Sequence, residues 1–373
     1  MDKNFFLERK ENEARAGILT TPHGDLATPF FMPVATQAAV RGLAPDQLIQ
    51  AGVTCLICNT YHIYLRPGDA IIEKAGGLHR FMSWNYPLAT DSGGFQIFSL
   101  KSISQIHENG IRFQSHVDGS QHAWTPEKAV EVQIKLGADI MMVLDYCISY
   151  PSSYAAVEKA VALTTLWAGR CQNHFHSYYK NQSKKKPLLF GIVQGGIFQD
   201  LRERSLHEIE SFDFAGYAIG GLSVGEPQEE LIRITESCTR QLNAEKPRYL
   251  MGVGSPEDIL HAIGSGVDMF DCVLPTRNAR NGTLFTSEGR LNIHNQQFSG
   301  DVDRPIDAGC ACPVCQNFSR GYLRHLFITG EILGLQLASL HNLYFYMALL
   351  RTAREKILSK QFSQWKKNML SKL

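Results

Sequence analysis

The 373-residue sequence predicts an α/β chain closed into a (β/α)8 barrel with a small inserted subdomain near the C-terminus. Three observations carry this. Short apolar or β-branched runs alternate with longer helix-like stretches. Polar or glycine-rich segments follow several of those runs. The rhythm then stops near residue 281, ahead of a stretch with glycine, polar residues and clustered cysteines. Strands of a parallel sheet covered by helices are buried on both faces and read as continuous apolar runs. In a closed barrel, the polar groups at the C-terminal ends of the strands meet at one mouth. An open doubly wound sheet is the competing architecture, but no G-x-G-x-x-G follows the first run.

The runs are 53–58 (VTCLIC), 86–90 (YPLAT), 139–144 (DIMMVL), 188–193 (LLFGIV), 216–220 (GYAIG), 248–253 (RYLMGV) and 268–274 (DMFDCVL). A helix over 126–137 opens on Thr125-Pro126, since Pro suits the first helical position, and repeats Ala129, Val132 and Leu136 on one face. Residues 155–171 and 228–242 also read as helices, with Gly137, Gly225 and Gly266 as punctuation. TDSGGF follows the second run and Asp145 ends the third. Gln194-Gly195-Gly196 and Gly220-Gly221-Leu222 end the next two, and Asp271 lies in the last. A single Asp there reads as a helix cap; five such ends in series read as a site. Residues 336–358 form an amphipathic helix burying Leu340, Leu343, Tyr344, Met347 and Leu350. The expected division is a barrel core over 1–281, an inserted subdomain over 282–342 and a C-terminal helix within 336–373.

Composition is globular, with 44% apolar and 20% charged residues. A net charge of +1 excludes a strongly basic nucleic-acid binder, so any such role rests on local patches. Lys180 with Lys184, Lys185 and Lys186, and Lys366 with Lys367, read as solvated faces. Residues 1–20 lack an apolar leader, and no apolar run approaches the ~20 residues of a membrane span. The expectation is an intracellular, cytoplasmic protein without a membrane partner. Nine cysteines in that setting do not suggest disulfides. Cys55, Cys58, Cys147, Cys171, Cys238 and Cys272 read as small buried apolar residues.

Cys310, Cys312 and Cys315 form C-x-C-x-x-C, which lets one loop supply three corners of a tetrahedron. Three thiolates and an imidazole make a structural zinc set closed entirely by protein. His341 is a fourth ligand by spacing, with His294 and His325 as alternatives. Asp91 and Asp271 suit a double displacement at a glycosidic carbon, one carboxylate attacking and the other handling the leaving group's proton. Gly93 and Gly94 let backbone approach a flat ligand, on which Phe95 can stack.

DSGGFQ, VQGG, GGLSVGE, YLMGVGSPED, FDCVLPTRNARNG and the C-x-C-x-x-C…H set occur here in the order found in tRNA-guanine transglycosylases of the bacterial queuosine type. The resemblance covers about residues 20 to 360. It implies a TIM barrel with a structural zinc subdomain, one zinc per subunit and a homodimer. The reaction it implies is replacement of the wobble guanine of tRNA by 7-aminomethyl-7-deazaguanine or queuine, through a covalent aspartyl–tRNA intermediate. Carried over by motif, Asp271 resembles the nucleophile and Asp91 the general acid/base. Ser92, Gly93 and Gly94 lie in the base-binding turn. Asp145 and Gln194 meet the base edge, Gly221 offers an N–H and Leu222 a C=O, and Phe95 and Met251 sandwich the ring. Arg277, Arg280 and the Gly252–Asp258 loop, with Gly254 and Ser255, meet the anticodon loop. Cys310, Cys312, Cys315 and His341 hold the zinc. Tyr146 departs from the acidic residue usual in bacterial members, Ser223 matches the eukaryotic catalytic subunit, and Phe95 replaces a frequent Tyr. The first two adjoin the place of the 7-substituent and leave the incoming base open. Two other readings compete. A metal-dependent hydrolase on the same barrel would need an H-x-H at a strand end, whereas His174-Phe175-His176 lies in a polar helix-like stretch. A non-catalytic zinc-containing RNA-binding protein would need neither Asp91 nor Asp271.

Overall fold

A computed structural model describes residues 3–99, 104–182 and 185–373. Eight parallel strands close into a barrel: β1 (Phe30–Ala35), β2 (Leu56–Cys58), β3 (Leu88–Thr90), β4 (Ile140–Met142), β5 (Leu188–Val193), β6 (Gly216–Ile219), β7 (Arg248–Leu250) and β8 (Met269–Cys272). Neighbours in the wall are neighbours in sequence, and β8 closes on β1 with Asp271 opposite Met32. Seven staves fall within the apolar runs read from the sequence. The eighth, β1, was not among them: FFMPVA carries Pro33, and a proline inside a run argues against a central strand. Here Pro33 sits at the strand's C-terminal part, opposite Cys272, near the open mouth.

The helices follow their sequence signals. Pro126–Leu136 is capped by the Thr125 hydroxyl, which accepts the Lys128 N–H at 3.2 Å, and stops at Gly137 with φ +74°. Tyr154–Tyr179 runs eight residues beyond the expected 171, and Gln228–Gln241 matches closely. His174-Phe175-His176 lies inside the first of these with Phe175 buried, and not at the C-terminal end of a strand. Two antiparallel sheets were not foreseen. One, Phe5–Glu11, Ala14–Thr21 and Gly24–Thr28, meets the N-terminal end of the barrel; the other, Ser104–His107, Gly110–Gln114 and Gln121–Trp124, is inserted after β3.

Residues 283–328 hold a hairpin, Thr283–Thr286 with Gly289–Asn292, and two short helices, Pro313–Asn317 and Arg320–Ile328. The sequence showed few helix signals here, yet Cys312 and Ser319 cap these helices by accepting the N–H groups of Cys315 and Tyr322. Ile332–Leu358 begins four residues earlier than expected. Over its 27 residues it reaches the length and hydropathy (1.2) of a membrane span, contrary to the sequence reading. Two-thirds of that stretch is buried inside the fold, so its apolar character is that of a core helix. Asn342 on it bonds the Phe285 N–H and the Pro275 and Thr283 carbonyls, and Tyr346 donates to the Gly254 carbonyl. Arg354 reaches the Gly17 and Thr28 carbonyls of the N-terminal sheet. Of the lysine-rich stretch, Lys184 lies outside the described residues. Lys185 is exposed, and Lys186 donates to His176 at 3.0 Å across the Phe175 ring, a solvated-face arrangement.

Candidate active site

Asp91, Asp145 and Asp271 stand at the C-terminal ends of β3, β4 and β8, with Gln194 after β5 and Gly221 after β6. Their charges reach one another: Asp91 raises the Asp145 carboxyl, and both Asp91 and Asp271 act on the buried Tyr249 phenol. The three are held differently. Asp91 is buried and accepts four N–H donors: Thr60 N at 2.8 Å and Gly93 N at 3.1 Å on Oδ1, Gln96 Nε2 at 2.9 Å and Asn59 Nδ2 on Oδ2. Burial nonetheless pushes its carboxyl above the usual range, against those bonds. Asp145 accepts the Gln194 amide at 2.7 Å and the Ser92 hydroxyl at 3.2 Å. Burial, reinforced by Asp91's charge, pushes it up to about 6. Asp271 is partly exposed, and its Oδ1 accepts the Tyr249 hydroxyl at 2.6 Å and the Gly252 N–H at 2.8 Å. No hydrogen bond to its Oδ2 is found among the described residues. Desolvation raises this carboxyl too.

The turn after β3 needs its glycines. Gly93 has φ +80°, and a Cβ there would lie 3.2 Å from the Trp124 ring; one on Gly94 would lie 2.9 Å from the Asp145 carbonyl. Trp124 donates to the Ser92 carbonyl at 3.0 Å and braces the turn from below. Phe95 follows, 53% exposed, and Met251 after β7 is half-buried. Gly220 and Gly221 let Gln194 lie flat against them: a Cβ on Gly221 would come within 2.3 Å of its Oε1. Leu222 is buried, and Ser223, at φ +59°, gives its N–H to Glu226, as does Val224 at 2.9 Å.

The proposed RNA-contacting residues divide. Gly252 gives its N–H to Asp271. Gly254 packs on Cys272. Ser255 caps the Pro256–Gly264 helix and donates to Asp258 at 2.6 Å, and Asp258 also accepts Gln228. Arg277 is exposed. Arg280 is half-buried with an Nη1 that finds no partner, and its guanidinium is pushed down by burial and by the charges of Arg41 and Arg277. Three guanidinium groups thus share one rim.

Cys310, Cys312, Cys315 and His341 come together at the loop–helix junction. His341 Nδ1 lies 4.0, 3.5 and 3.4 Å from the three sulfurs. A tetrahedron with ordinary zinc–sulfur and zinc–nitrogen bonds has an S···N edge of roughly 3.6 Å. His341 Nε2 donates to the Phe285 carbonyl at 2.8 Å, which leaves the Nδ1 lone pair facing the sulfurs. The set fits a metal ion, with His341 rather than His294 or the exposed His325. A second cluster, His23, His79 and Asp139, does not. Its ring nitrogens sit 2.7 and 3.1 Å from the carboxylate, shorter than the roughly 3.3 Å edge of a nitrogen/oxygen tetrahedron. Each carboxylate oxygen is also taken by a backbone N–H, from His23 and Leu88. It is a hydrogen-bonded tripod at the opposite end of the barrel from the mouth, where a metal-dependent hydrolase would not use it.

Asn59, Thr60, Gln96, Tyr249, Arg202 and Glu226 were not singled out from the sequence. Arg202 had a signal: it shares a helical face with Ser205, Leu206 and Ile209, all buried.

A sequence model of the queuine tRNA-ribosyltransferase family matches residues 10–373. Proteins named queuine tRNA-ribosyltransferase are similar over almost the whole chain. That of Thermodesulfovibrio yellowstonii is 49% identical over 98% of this chain and 94% of its own length. That of Nitratidesulfovibrio vulgaris is 50% identical over 98% and 96%. That of Thermoanaerobacter pseudethanolicus is 51% identical over 96% and 94%.

Proposed function

The chain belongs to the queuine tRNA-ribosyltransferase family, enzymes of the pentosyltransferase class, and from that premise we propose that it exchanges the wobble guanine of tRNA for a 7-deazaguanine through an aspartyl–ribose intermediate on Asp271. The observation that carries this reading is the contrast between two carboxylates at one mouth. Asp271 is anchored through Oδ1, which leaves Oδ2 to attack, whereas Asp91 is fully engaged. In the first displacement Oδ2 forms a bond to C1′ as the bond from C1′ to guanine N9 breaks, and the departing base takes a proton. In the second, N9 of the incoming base loses its proton and displaces the carboxylate. Two inversions return the β configuration.

Asp91 handles those protons. Two of its donors, Thr60 and Gly93, are backbone groups and stay. The other two, Asn59 and Gln96, are side-chain amides on Oδ2 and can turn aside, so Oδ2 is the oxygen that exchanges the proton. Its raised carboxyl favours the protonated partner the first step needs. Asp145 and Gln194 meet the base edge, Gly221 and Leu222 contribute N–H and C=O, and Phe95 and Met251 bracket the ring. The Arg277–Arg280 rim holds the anticodon loop, because guanidinium groups suit phosphates and splayed bases. Labelled guanine exchanged into tRNA tests the reaction; no exchange by folded enzyme defeats it.

For the incoming base, the cleft lined by Ile148, Tyr150, Gly196, Gly221, Val224 and Glu226 is small, about 20 Å³, and open on one side, so a bulky 7-substituent would extend from it toward solvent. Tyr146, its ring packed on Phe98 at 4.7 Å, stands in place of the acid usual in bacterial members, and Glu226 is the carboxylate in the cleft's lining. Queuine is therefore expected to match or exceed 7-aminomethyl-7-deazaguanine in kcat/KM, and failure to incorporate queuine at all contradicts this.

Zinc in the Cys3His set would tie the loop to the Ile332–Leu358 helix and take no part in the chemistry. Cys312→Ala should remove the metal and destabilise the region, since structural zinc contributes folding free energy. Undiminished zinc by metal analysis would exclude the assignment. Tyr322, Ile328, Ile332 (78%) and Leu333 leave apolar side chains exposed around the junction of two helices, which supports a homodimer that sedimentation would detect.

A further inference from the structure

We propose that Arg202 is a positioning residue for base recognition, one that sets the direction of the peptide groups in the β6 turn. The proposal rests on the base-pocket reading above. Arg202 lies on the Gln199–Glu210 helix, 1% exposed, and among the described residues no carboxylate is a hydrogen-bond partner of it. Instead its guanidinium donates to four carbonyls: Gly196 at 2.8 Å, Val193 at 3.1 Å, Gly220 at 2.7 Å and Gly221 at 3.2 Å. Val193 ends β5 and Gly196 lies in the turn after it, which carries Gln194; the other two belong to the turn after β6.

The consequence follows from peptide planarity. In a trans peptide the C=O and the next N–H point in opposite directions. Drawing the Gly220 and Gly221 carbonyls toward the guanidinium therefore turns the N–H groups of Gly221 and Leu222 away from it. The Gly221 N–H faces Cys147, two residues beyond Asp145. The left-handed conformation of Gly221 (φ +64°) keeps this arrangement open to reversal, because glycine takes either orientation at little cost. A rigid planar fork with five donors can hold four acceptors together; an ammonium, a point donor with three, cannot reproduce the pattern. Removing the fork frees the turn to present a carbonyl where the base needs an N–H.

The test is steady-state exchange of labelled guanine into tRNA by the full-length, zinc-loaded enzyme, comparing wild type with Arg202→Lys and Arg202→Gln. The expected result is a rise of ~10-fold or more in KM for guanine, as for loss of charge-assisted hydrogen bonds, with KM for tRNA within about twofold. The zinc content and circular dichroism should be those of wild type, and Lys should be milder than Gln. A purely structural role would lower the active fraction, and so kcat, without moving KM for the base. Unchanged KM for guanine in both folded variants overturns the proposal, as does failure of both to fold. Wild-type enzyme that neither binds nor exchanges guanine overturns the base-pocket reading, and the proposal with it.

Discussion

Buried aspartates occupy both ends of this barrel, and they are treated in opposite ways. At the N-terminal end, Asp268 receives the Arg15 guanidinium at 2.9 Å and the Arg248 N–H at 2.7 Å, and Asp139 receives two imidazoles and two backbone N–H groups. Beside the backbone donors, each has side-chain partners that are cationic or able to become so, Arg15 for Asp268 and His23 and His79 for Asp139, and Arg15 and His23 tie the wall to the N-terminal sheet. At the mouth, the buried Asp91 and Asp145 and the partly exposed Asp271 receive, among the described residues, only amides and hydroxyls. A cation there would neutralise the charge the chemistry uses. Neutral donors orient the carboxyl and leave it able to attack, accept a proton or bind N–H groups. On the proposed reading, what separates the catalytic carboxylates from the structural ones is the charge of their side-chain partners, since burial is shared by Asp91, Asp145, Asp139 and Asp268.

The comparison breaks most visibly at Asp271. Asp271→Asn is expected to lose at least ~10⁴-fold in exchange and to form no denaturant-resistant tRNA adduct while still binding tRNA. Asp91→Asn should lose roughly 10²–10⁴-fold through slow proton transfer. An adduct mapping to Asp91 would reverse the two roles. At the other end, Asp268→Asn should cost about 3–5 kcal/mol in denaturant unfolding, because it leaves Arg15 buried without its counter-charge. Exchange per folded molecule should stay within about twofold. A large loss of kcat with stability intact would erase the distinction between the two ends.

The smallest effect concerns pH. Asp145 lies at about 6, above the 3.8 of a free carboxyl. Only its ionised form accepts the base's N–H donors, so at pH 5 roughly one-tenth of it is competent and KM for guanine should rise about tenfold over pH 8. Because folding raises this carboxyl, the stability it contributes is present below 3.8 and lost as pH rises through 6. Asp145→Asn should flatten both profiles; an unchanged KM profile would place the titration elsewhere.

How much of this was written in the sequence depends on the range of the interaction. Seven staves were legible because each is an uninterrupted apolar run, and the strand-end aspartates were legible because a polar residue after such a run is conspicuous. The metal cysteines were legible because they lie within six residues of one another. The choice among His294, His325 and His341 was not, since it depends on which helix the loop packs against. β1 was hidden by Pro33, and the short helices near 313–328 by their length. The partners that tune the carboxylates were invisible for a different reason: Tyr249 stands 22 residues before Asp271 and Asn59 stands 32 before Asp91, contacts that exist only once neighbouring staves have paired.

The Ile332–Leu358 helix touches three places in turn: His341 at the cysteine loop, Tyr346 under the Gly254 carbonyl, and Arg354 at the N-terminal sheet. At about 1.5 Å per residue these contacts are spread over some 20 Å of one rod. The middle one bears on the loop whose Gly252 N–H anchors Asp271, the proposed nucleophile. An ion held at His341 therefore acts as the far bearing of a shaft. Seating or removing it would then be expected to shift the alignment of the Asp271 carboxylate without any ligand of the ion approaching the substrate.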